Sequence, residues 1–380
     1  MQTFELTNEQ RRCFGLAPVE ETWERFYVKT SHYDHFTAVA YAEGCTLKKL
    51  IRVSDVMYAE EEMEETISPD KKVIYPKTAK GKPANLSAAV LLKRKNRGMC
   101  LSYYKTYVSL YSADNEMNYY LSETDDPGVT CFSDFIAWVN DWCADTSPAD
   151  LADLRAFAAA PRRHVKYREG DVFRFRIGRR KYGYGRILVD YPKMRKEKTP
   201  FWDIFMGPAL ECAVYPIVTE RTDVTAEELA ALCPLPSDLM ADNRIYYGEY
   251  EITGNIPITE NEDYMIHYGS SINAREFGQG VVMIQYGKLF FRRTGIAPVP
   301  GCEGFALNGV GYGPNADRNL LEAVIAAGNN DPYWERDLYN LKNDLRNPAH
   351  ADKRRAVMLQ MIGAAERADG GCSENSADLD

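Results

Sequence analysis

Histidines with nearby carboxylates are the first residues in this chain that could do chemistry. His267 follows Glu260, Glu262 and Asp263, and a carboxylate–histidine pair can act as a general base. The neighbourhood supplies no matching nucleophile, and His267 lies in an apolar stretch typical of a strand. A sheet histidine with its hydrogen bonds satisfied is therefore the favoured interpretation, and a hydrolase is the weaker alternative.

A metal site is the second possibility that the residue types raise. His32 and His35 flank Asp34, but the sequence places no obvious further ligand beside them. The nine cysteines are scattered and form no Cys-x-x-Cys pair, so a zinc ribbon or a redox motif is unsupported. We interpret the histidines as surface residues and expect no metal site.

Glycine-rich stretches offer the third chemical possibility. Gly309, Gly311 and Gly313 precede a predicted helix from Asp317, and a helix N-terminus can hold an anion. Short glycine patterns are common by chance, so a plain loop is favoured. No Walker, dinucleotide-binding, nucleophile-elbow or zinc-protease motif is present. We therefore expect no catalytic residue and no cofactor.

A basic segment from Lys77 to Arg97 could bind nucleic acid. Its candidate contacts are Lys77, Lys80, Lys82, Arg94 and Lys95, and the tyrosines at 103, 104 and 107 could stack on bases. The acidic run Glu60–Glu65 lies just before it, and the formal net charge is −9. A solvated basic face neutralised by the acidic run is the favoured interpretation.

Length and composition bound the elements that must position these residues. A chain of 380 residues predicts two or three domains, and 45% apolar with 27% charged residues is typical of a soluble globular protein. The odd, scattered cysteines indicate a reducing compartment. The N-terminus has no signal-peptide pattern, and no apolar run reaches the length of a membrane helix. We predict a cytoplasmic protein without membrane association.

The most distinctive element is a predicted β-hairpin in the centre of the chain. Val172, Phe173, Phe175 and Ile177 alternate with arginines along its first strand, and Tyr182–Val189 forms the return strand. Gly183 and Gly185 share one face of that return strand. Glycine inside a strand usually marks a bulge, a bend or another chain passing close by.

Around this hairpin the pattern predicts an α+β protein with a mainly antiparallel central region and C-terminal helices. The predicted divisions are 1–145 (α+β), 146–165 (helical connector), 166–295 (β), 296–368 (helical) and 369–380 (disordered acidic tail). Helix signals predict a capping box at Thr7 and Gln10, a helix that begins at Ser147 and Pro148, and helices at Trp334–Leu345 and Lys353–Ala365. Strand signals predict a strand at Tyr246–Ile252 and a hairpin of Val281–Tyr286 with Leu289–Arg293. Between these elements we expect a basic loop at Lys193–Lys198 and a turn at Gly254 and Asn255.

The central stretch resembles the Immunity protein 26 family of bacterial polymorphic toxin systems. The resemblance is carried by Tyr167–Phe173, with its Gly-Asp followed by a hydrophobic strand, and by Tyr182–Leu188, with its Tyr-Gly-Tyr-Gly-Arg. It covers 166 to about 270, roughly a third of the chain. The remaining regions are additional to a typical single-domain immunity protein.

The resemblance implies a protein that binds a cognate toxin domain and blocks it, and that is not an enzyme. Inhibition requires a rigid surface with aromatic and arginine anchors. The candidate partner-binding residues are Arg174, Arg176, Tyr182, Tyr184 and Arg186, on the side of the hairpin expected to be exposed. Alternatively, some of them pack the hairpin against its own sheet. The sequence decides neither the toxin nor the oligomeric state.

Overall fold

Antiparallel sheets and helices build this chain, which confirms the predicted α+β class. The computed structural model describes residues 4–78, 80–202, 208–270, 281–294, 296–302 and 313–369. The chain divides into two units: unit 1 is Met1–His164 with Arg176–Lys181, and unit 2 is Val165–Phe175 with Tyr182–Asp380. The five-part division of the sequence stays a prediction, and its acidic tail beyond Asp369 lies outside the described residues.

Unit 1 is organised on a seven-stranded sheet with the order β1-β2-β3-β4-β7-β8-β9. Its strands are β1 (Glu24–Val28), β2 (Thr37–Glu43), β3 (Thr46–Val53), β4 (Met57–Thr66), β7 (Arg97–Tyr104), β8 (Tyr107–Ser112) and β9 (Met117–Leu121), with β5 (Val73–Ile74) and β6 (Ala84–Asn85) paired separately. Successive side chains of a strand point to opposite faces. Val39 and Ile51 accordingly enter one core, while Ala40 and Leu50 enter another.

The helices of unit 1 cover these two faces. They are α1 (Asn8–Cys13), α2 (Ala88–Leu91), α3 (Ser122–Asp125), α4 (Phe132–Ala144) and α5 (Pro148–Ala159). The core on one face joins Phe135 and Trp142 of α4 to the sheet, and Leu91 of α2 packs in the other. The predicted Thr7–Gln10 capping box is present, and Ser147 caps α5 as expected.

Unit 2 contains a five-stranded sheet with the order β13-β12-β11-β10-β14. Its strands are β10 (Asp171–Arg176), β11 (Tyr182–Asp190), β12 (Ala209–Val214), β13 (Asp238–Ala241) and β14 (Glu251–Asn255), and helices α6 (Tyr191–Glu197), α7 (Ala226–Ala230) and α8 (Asn243–Tyr246) lie between them in sequence. The predicted central hairpin is confirmed as β10 and β11. Both of its strands are largely buried.

A three-stranded sheet and the C-terminal helices complete unit 2. The strands are β15 (Ile266–Ser270), β16 (Val281–Tyr286) and β17 (Leu289–Thr294), and the helices are α9 (Arg318–Ala327), α10 (Asp331–Trp334), α11 (Tyr339–Asn343) and α12 (Ala351–Asp369). A 3₁₀ turn at Pro348–His350 precedes α12. The predicted hairpin of β16 and β17 is confirmed, with Gly287 at φ 54° in its tight turn. The predicted helix at Lys353–Ala365 lies within α12.

Four local expectations were wrong. Lys193–Lys198 is not a loop, because Asp190 caps a helix that buries Tyr191 and Met194. Residues 246–252 are not one strand, since Tyr246 and Tyr247 donate helical hydrogen bonds to residues 242 and 243. Gly254 and Asn255 pair with β10 and form no turn. The predicted helix at Trp334–Leu345 is interrupted, with Leu338 in an extended conformation between α10 and α11.

Among the described residues, no helix is long and apolar enough to cross a membrane. The eight cysteines of this part of the chain are free thiols. The described residues also contain no group of three His, Cys, Asp or Glu side chains that could hold a metal ion.

Candidate functional site

The glycines of β11 make room for two phenylalanine rings. A Cβ atom at Gly185 would lie 2.4 Å from Phe173 Cζ, and one at Gly183 would lie 2.6 Å from Phe175 Cζ. Phe173 also stacks on Tyr250, with 5.7 Å between the ring centroids. The two glycines of the Tyr-Gly-Tyr-Gly pattern therefore allow close packing within the sheet, and they do not form a ligand-binding loop.

Two of the five predicted partner-binding residues are buried, so the expectation that they face solvent was wrong. Tyr184 is fully buried in a small core with Val172 and Leu229, and its hydroxyl donates to the Arg221 carbonyl at 3.0 Å. Burial raises the pKa of this hydroxyl. Arg186 is 6% exposed and forms an ion pair with Glu262. Both side chains stabilise unit 2 from within.

Arg174 and Tyr182 remain accessible at the surface of unit 2. The Arg174 guanidinium lies 4.8 Å from the centroid of the Tyr182 ring and donates to Glu251 at 2.5 Å. It also donates to the Thr222 carbonyl at 2.7 Å. The Glu251 side chain is 64% exposed, which opens this group to solvent. We call Arg174, Tyr182 and Glu251 the Arg174 cluster.

Arg176 belongs to unit 1 and is held there by an acidic and an aromatic side chain. Its Nη2 atom lies 3.1 and 3.0 Å from the two carboxylate oxygens of Asp153. Its guanidinium carbon lies 4.5 Å from the centroid of the Tyr119 ring. These contacts give Arg176 a structural function in unit 1.

Two arginines of the connection between β10 and β11, Arg179 and Arg180, belong to unit 1 together with Arg176. Arg179 stacks on the Trp142 ring at 4.3 Å and donates to Thr146 Oγ1 at 2.7 Å. Arg180 donates to both carboxylate oxygens of Asp150, at 2.8 and 2.7 Å. The hydrogen bonds from Arg180 hold the pKa of Asp150 well below its usual range. The run of three cations between two strands was the sequence signal for this group.

The predicted nucleic-acid contacts divide into paired and exposed side chains. Lys77 and Arg94 both contact the buried Glu65, at 2.7 and 3.7 Å. Lys80, Lys82 and Lys95 are exposed. The acidic run thus neutralises part of the basic segment, as the favoured interpretation expected, and nucleic-acid binding by the other residues stays a prediction.

The acidic run also contributes a buried charge network that the sequence analysis missed. Glu60 is fully buried and accepts from Lys49 at 2.5 Å, Arg11 at 2.7 Å and Tyr58 at 2.6 Å. Despite the cost of burial, the two cations lower the pKa of Glu60. Glu62, on the same strand, is half-buried, and this partial burial raises its pKa. Within this run Glu60 and Glu65 are buried and Glu64 is exposed, so simple alternation along β4 does not predict which glutamates enter the core.

The carboxylates near His267 have other partners. Glu262 binds Arg186, and Asp263 accepts from Arg354 at 2.6 Å. His267 itself is fully buried on β15. A buried histidine whose neighbouring carboxylates Glu262 and Asp263 bind arginines agrees with a structural function for His267 and not with an accessible general base. Gly309 and Gly311, two of the glycines considered as an anion site before the helix from Asp317, lie outside the described residues.

Comparisons with known proteins identify one region of the chain. No curated protein and no solved structure matches the chain. A family model does match, and its span includes β10, β11 and the Arg174 cluster. Residues 168–278 of this chain match the model of the Immunity protein 26 family, in agreement with the resemblance of the central hairpin.

Proposed function

We propose that this protein binds a cognate bacterial toxin domain and neutralises it in the cytoplasm, as an inhibitor and not as an enzyme. The match of residues 168–278 to the Immunity protein 26 family carries this proposal. An immunity protein acts by occupying its toxin, so its function depends on a complementary surface and requires no catalytic group of its own.

Within the matched region, the Arg174 cluster is the proposed contact surface. Arginine and tyrosine are enriched among the residues that dominate binding energy. The ring of Tyr182 and the carboxylate of Glu251 already orient Arg174, so little side-chain freedom would be lost on binding. Tyr184 and Arg186, which are buried, support the shape of this surface without touching a partner.

Coexpression with a toxin encoded beside the gene tests the proposal. We expect bacterial growth to be rescued and a stable complex to elute as one peak in size-exclusion chromatography. Arg174→Ala and Tyr182→Ala should each weaken binding by about 1–3 kcal/mol, or roughly 5- to 150-fold in Kd. Arg195→Ala, an exposed change on α6, is the matched control and should bind normally.

The two parts of the proposal fail separately. If the toxin kills regardless and no complex forms, the neutralising function is wrong for that pair. If a complex forms and both Ala variants bind like the unaltered protein, the Arg174 cluster is not the contact surface while neutralisation stands.

A further inference from the structure

Hydrogen bonds connect the end of α1 to the end of α4 within unit 1. Gln10 Nε2 donates to Asn140 Oδ1 at 2.9 Å, and the Trp142 indole nitrogen donates to the Cys13 carbonyl at 3.2 Å. The same stretch of α4 reaches α1 once more, because Cys143 Sγ donates to the Gln10 carbonyl at 3.8 Å. Three independent contacts thus fix these helix ends side by side.

These contacts bring two thiols together. Cys13 Sγ donates to the Glu9 carbonyl at 3.4 Å, so its side chain lies along α1 near the position that Cys143 reaches. The two thiols thus donate to the carbonyls of consecutive residues of α1, Glu9 and Gln10. Both cysteines are half-buried at the margin of one core. The other described cysteines are Cys45, Cys100, Cys131, Cys212, Cys233 and Cys302.

We propose that Cys13 and Cys143 are a reversible disulfide-forming pair that joins α1 to α4 when the protein meets a peroxide. The bond would close a loop from residue 13 to residue 143, and this loop contains the entire seven-stranded sheet. A cross-link across so long a loop restricts the unfolded chain strongly and stabilises the folded one. Unit 1 is therefore more resistant to unfolding in its oxidised form.

The chemistry requires only the two thiols and a hydroperoxide. One thiolate attacks a peroxide oxygen, the O–O bond breaks, and a sulfenic acid forms as water or an alcohol leaves. The second thiol attacks the sulfenic sulfur, the S–S bond forms, and water leaves. The two cysteines lose two protons and two electrons in total, and the peroxide is reduced.

The surroundings of Cys143 set the pH dependence of this reaction. Burial, and after it the neighbouring Cys13 thiol, raises the pKa of the Cys143 thiol, while the positive charge of Arg179 acts in the opposite direction. Because the thiolate is the reactive form, oxidation should be slow near neutral pH and faster as the pH rises.

The test uses the full chain in reduced form. The protein is treated with hydrogen peroxide, the remaining thiols are alkylated, and the peptides are mapped by non-reducing mass spectrometry. We expect a Cys13–Cys143 cross-linked peptide, lighter by about 2 Da than the sum of the reduced peptides, that a reductant separates. The oxidised protein should melt several degrees higher than the reduced one.

Serine variants provide the controls. Cys13→Ser and Cys143→Ser should each lose the cross-link and the oxidation-dependent rise in melting temperature, and having both variants covers the case in which one fails to fold. Cys45→Ser, an exposed change in the same unit, should retain both. The proposal is overturned if Cys13 and Cys143 stay fully alkylatable after oxidation, or if the exposed cysteines cross-link instead.

Discussion

Gly185 on β11 packs directly against the ring of Phe173 on β10, and neither residue has space to move away from the other. A Cβ at position 185 would overlap a ring that is itself stacked on Tyr250. Interiors are packed closely enough that one additional methyl group must displace its neighbours. The glycine at position 185 of the Tyr-Gly-Tyr-Gly pattern is therefore explained by close packing against the Phe173 ring.

Gly185→Ala should destabilise the protein by about 1–3 kcal/mol, because the new methyl group overpacks the Phe173 ring. The free energy of unfolding from urea titrations measures this loss. Gly254→Ala is the matched control on β14 of the same sheet, since its Cβ would meet only Ala226 Cβ, at 3.5 Å. Equal stability of the two variants would contradict the packing account.

Glu62→Gln should make the protein more stable at neutral pH and leave its stability unchanged in acid. Burial raises the pKa of Glu62 in the folded state, so its favourable contribution is complete below the ordinary value of 4.5 and is lost as the pH rises through the raised value. Glutamine keeps an oxygen for the Ala17 N–H, which Glu62 now accepts at 2.6 Å, and has no charge to bury.

Urea midpoints at several pH values between 4 and 8 would check this expectation. Glu20→Gln, which removes an exposed carboxylate, is the control and should follow the unaltered protein. A constant difference between Glu62→Gln and the unaltered protein across this range would show that the effect is not electrostatic.

Among the elements, those with strong local signals were predictable from the sequence. The central hairpin follows from the alternation of Val172, Phe173 and Phe175 with arginines, and α5 follows from Ser147 and Pro148. The helix α6 was missed, although Asp190 and Pro192 are a proper start signal, because the following lysines suggested a solvated loop. Its burial of Tyr191 and Met194 is a tertiary effect.

The candidate site was less predictable than the fold. Alternation places Tyr184 and Arg186 on one face of β11, but it does not reveal that both are covered. The partners Glu251 and Glu262 lie far from the hairpin in sequence, so only the folded chain brings them to Arg174 and Arg186. Ion pairs between distant residues leave no periodic signal.

The start of α5 gives a prediction at the scale of the element. Asp150 accepts from the Ser147 N–H at 2.7 Å in a capping box and receives both hydrogen bonds of Arg180. Asp150→Asn should therefore cost about 1.5–3 kcal/mol at neutral pH, because charge-assisted bonds to a buried carboxylate are lost. Urea titrations at several pH values measure this cost.

The contribution of Asp150 to stability changes with pH in the direction opposite to that of Glu62. The pKa of Asp150 is depressed, so its stabilising effect is present above the ordinary value of 3.8 and is lost as the pH falls towards the depressed value. Asp145→Asn is the control, because that side chain is 64% exposed where it meets Arg180 and should cost less than about 1 kcal/mol. Equal losses in the two variants would contradict the account.

At the scale of the whole molecule, the chain is more than its family-like region. Residues 168–278 match an immunity family, while β1 to β4 and β7 to β9 form a different sheet with two cores of its own. The thiol pair proposed on α1 and α4 lies in unit 1, outside the region that matches the immunity family.

The placement of Arg176–Lys181 in unit 1 has a consequence for synthesis on the ribosome. Chains emerge from the N-terminus, and domains generally fold as their residues become available. Here the first unit lacks Arg179 and Arg180, with their contacts to Trp142 and Asp150, until the hairpin has been translated. Nascent chains that stop before residue 176 would therefore hold an incomplete first unit, which gains its last residues only after the first strand of the second unit has been translated.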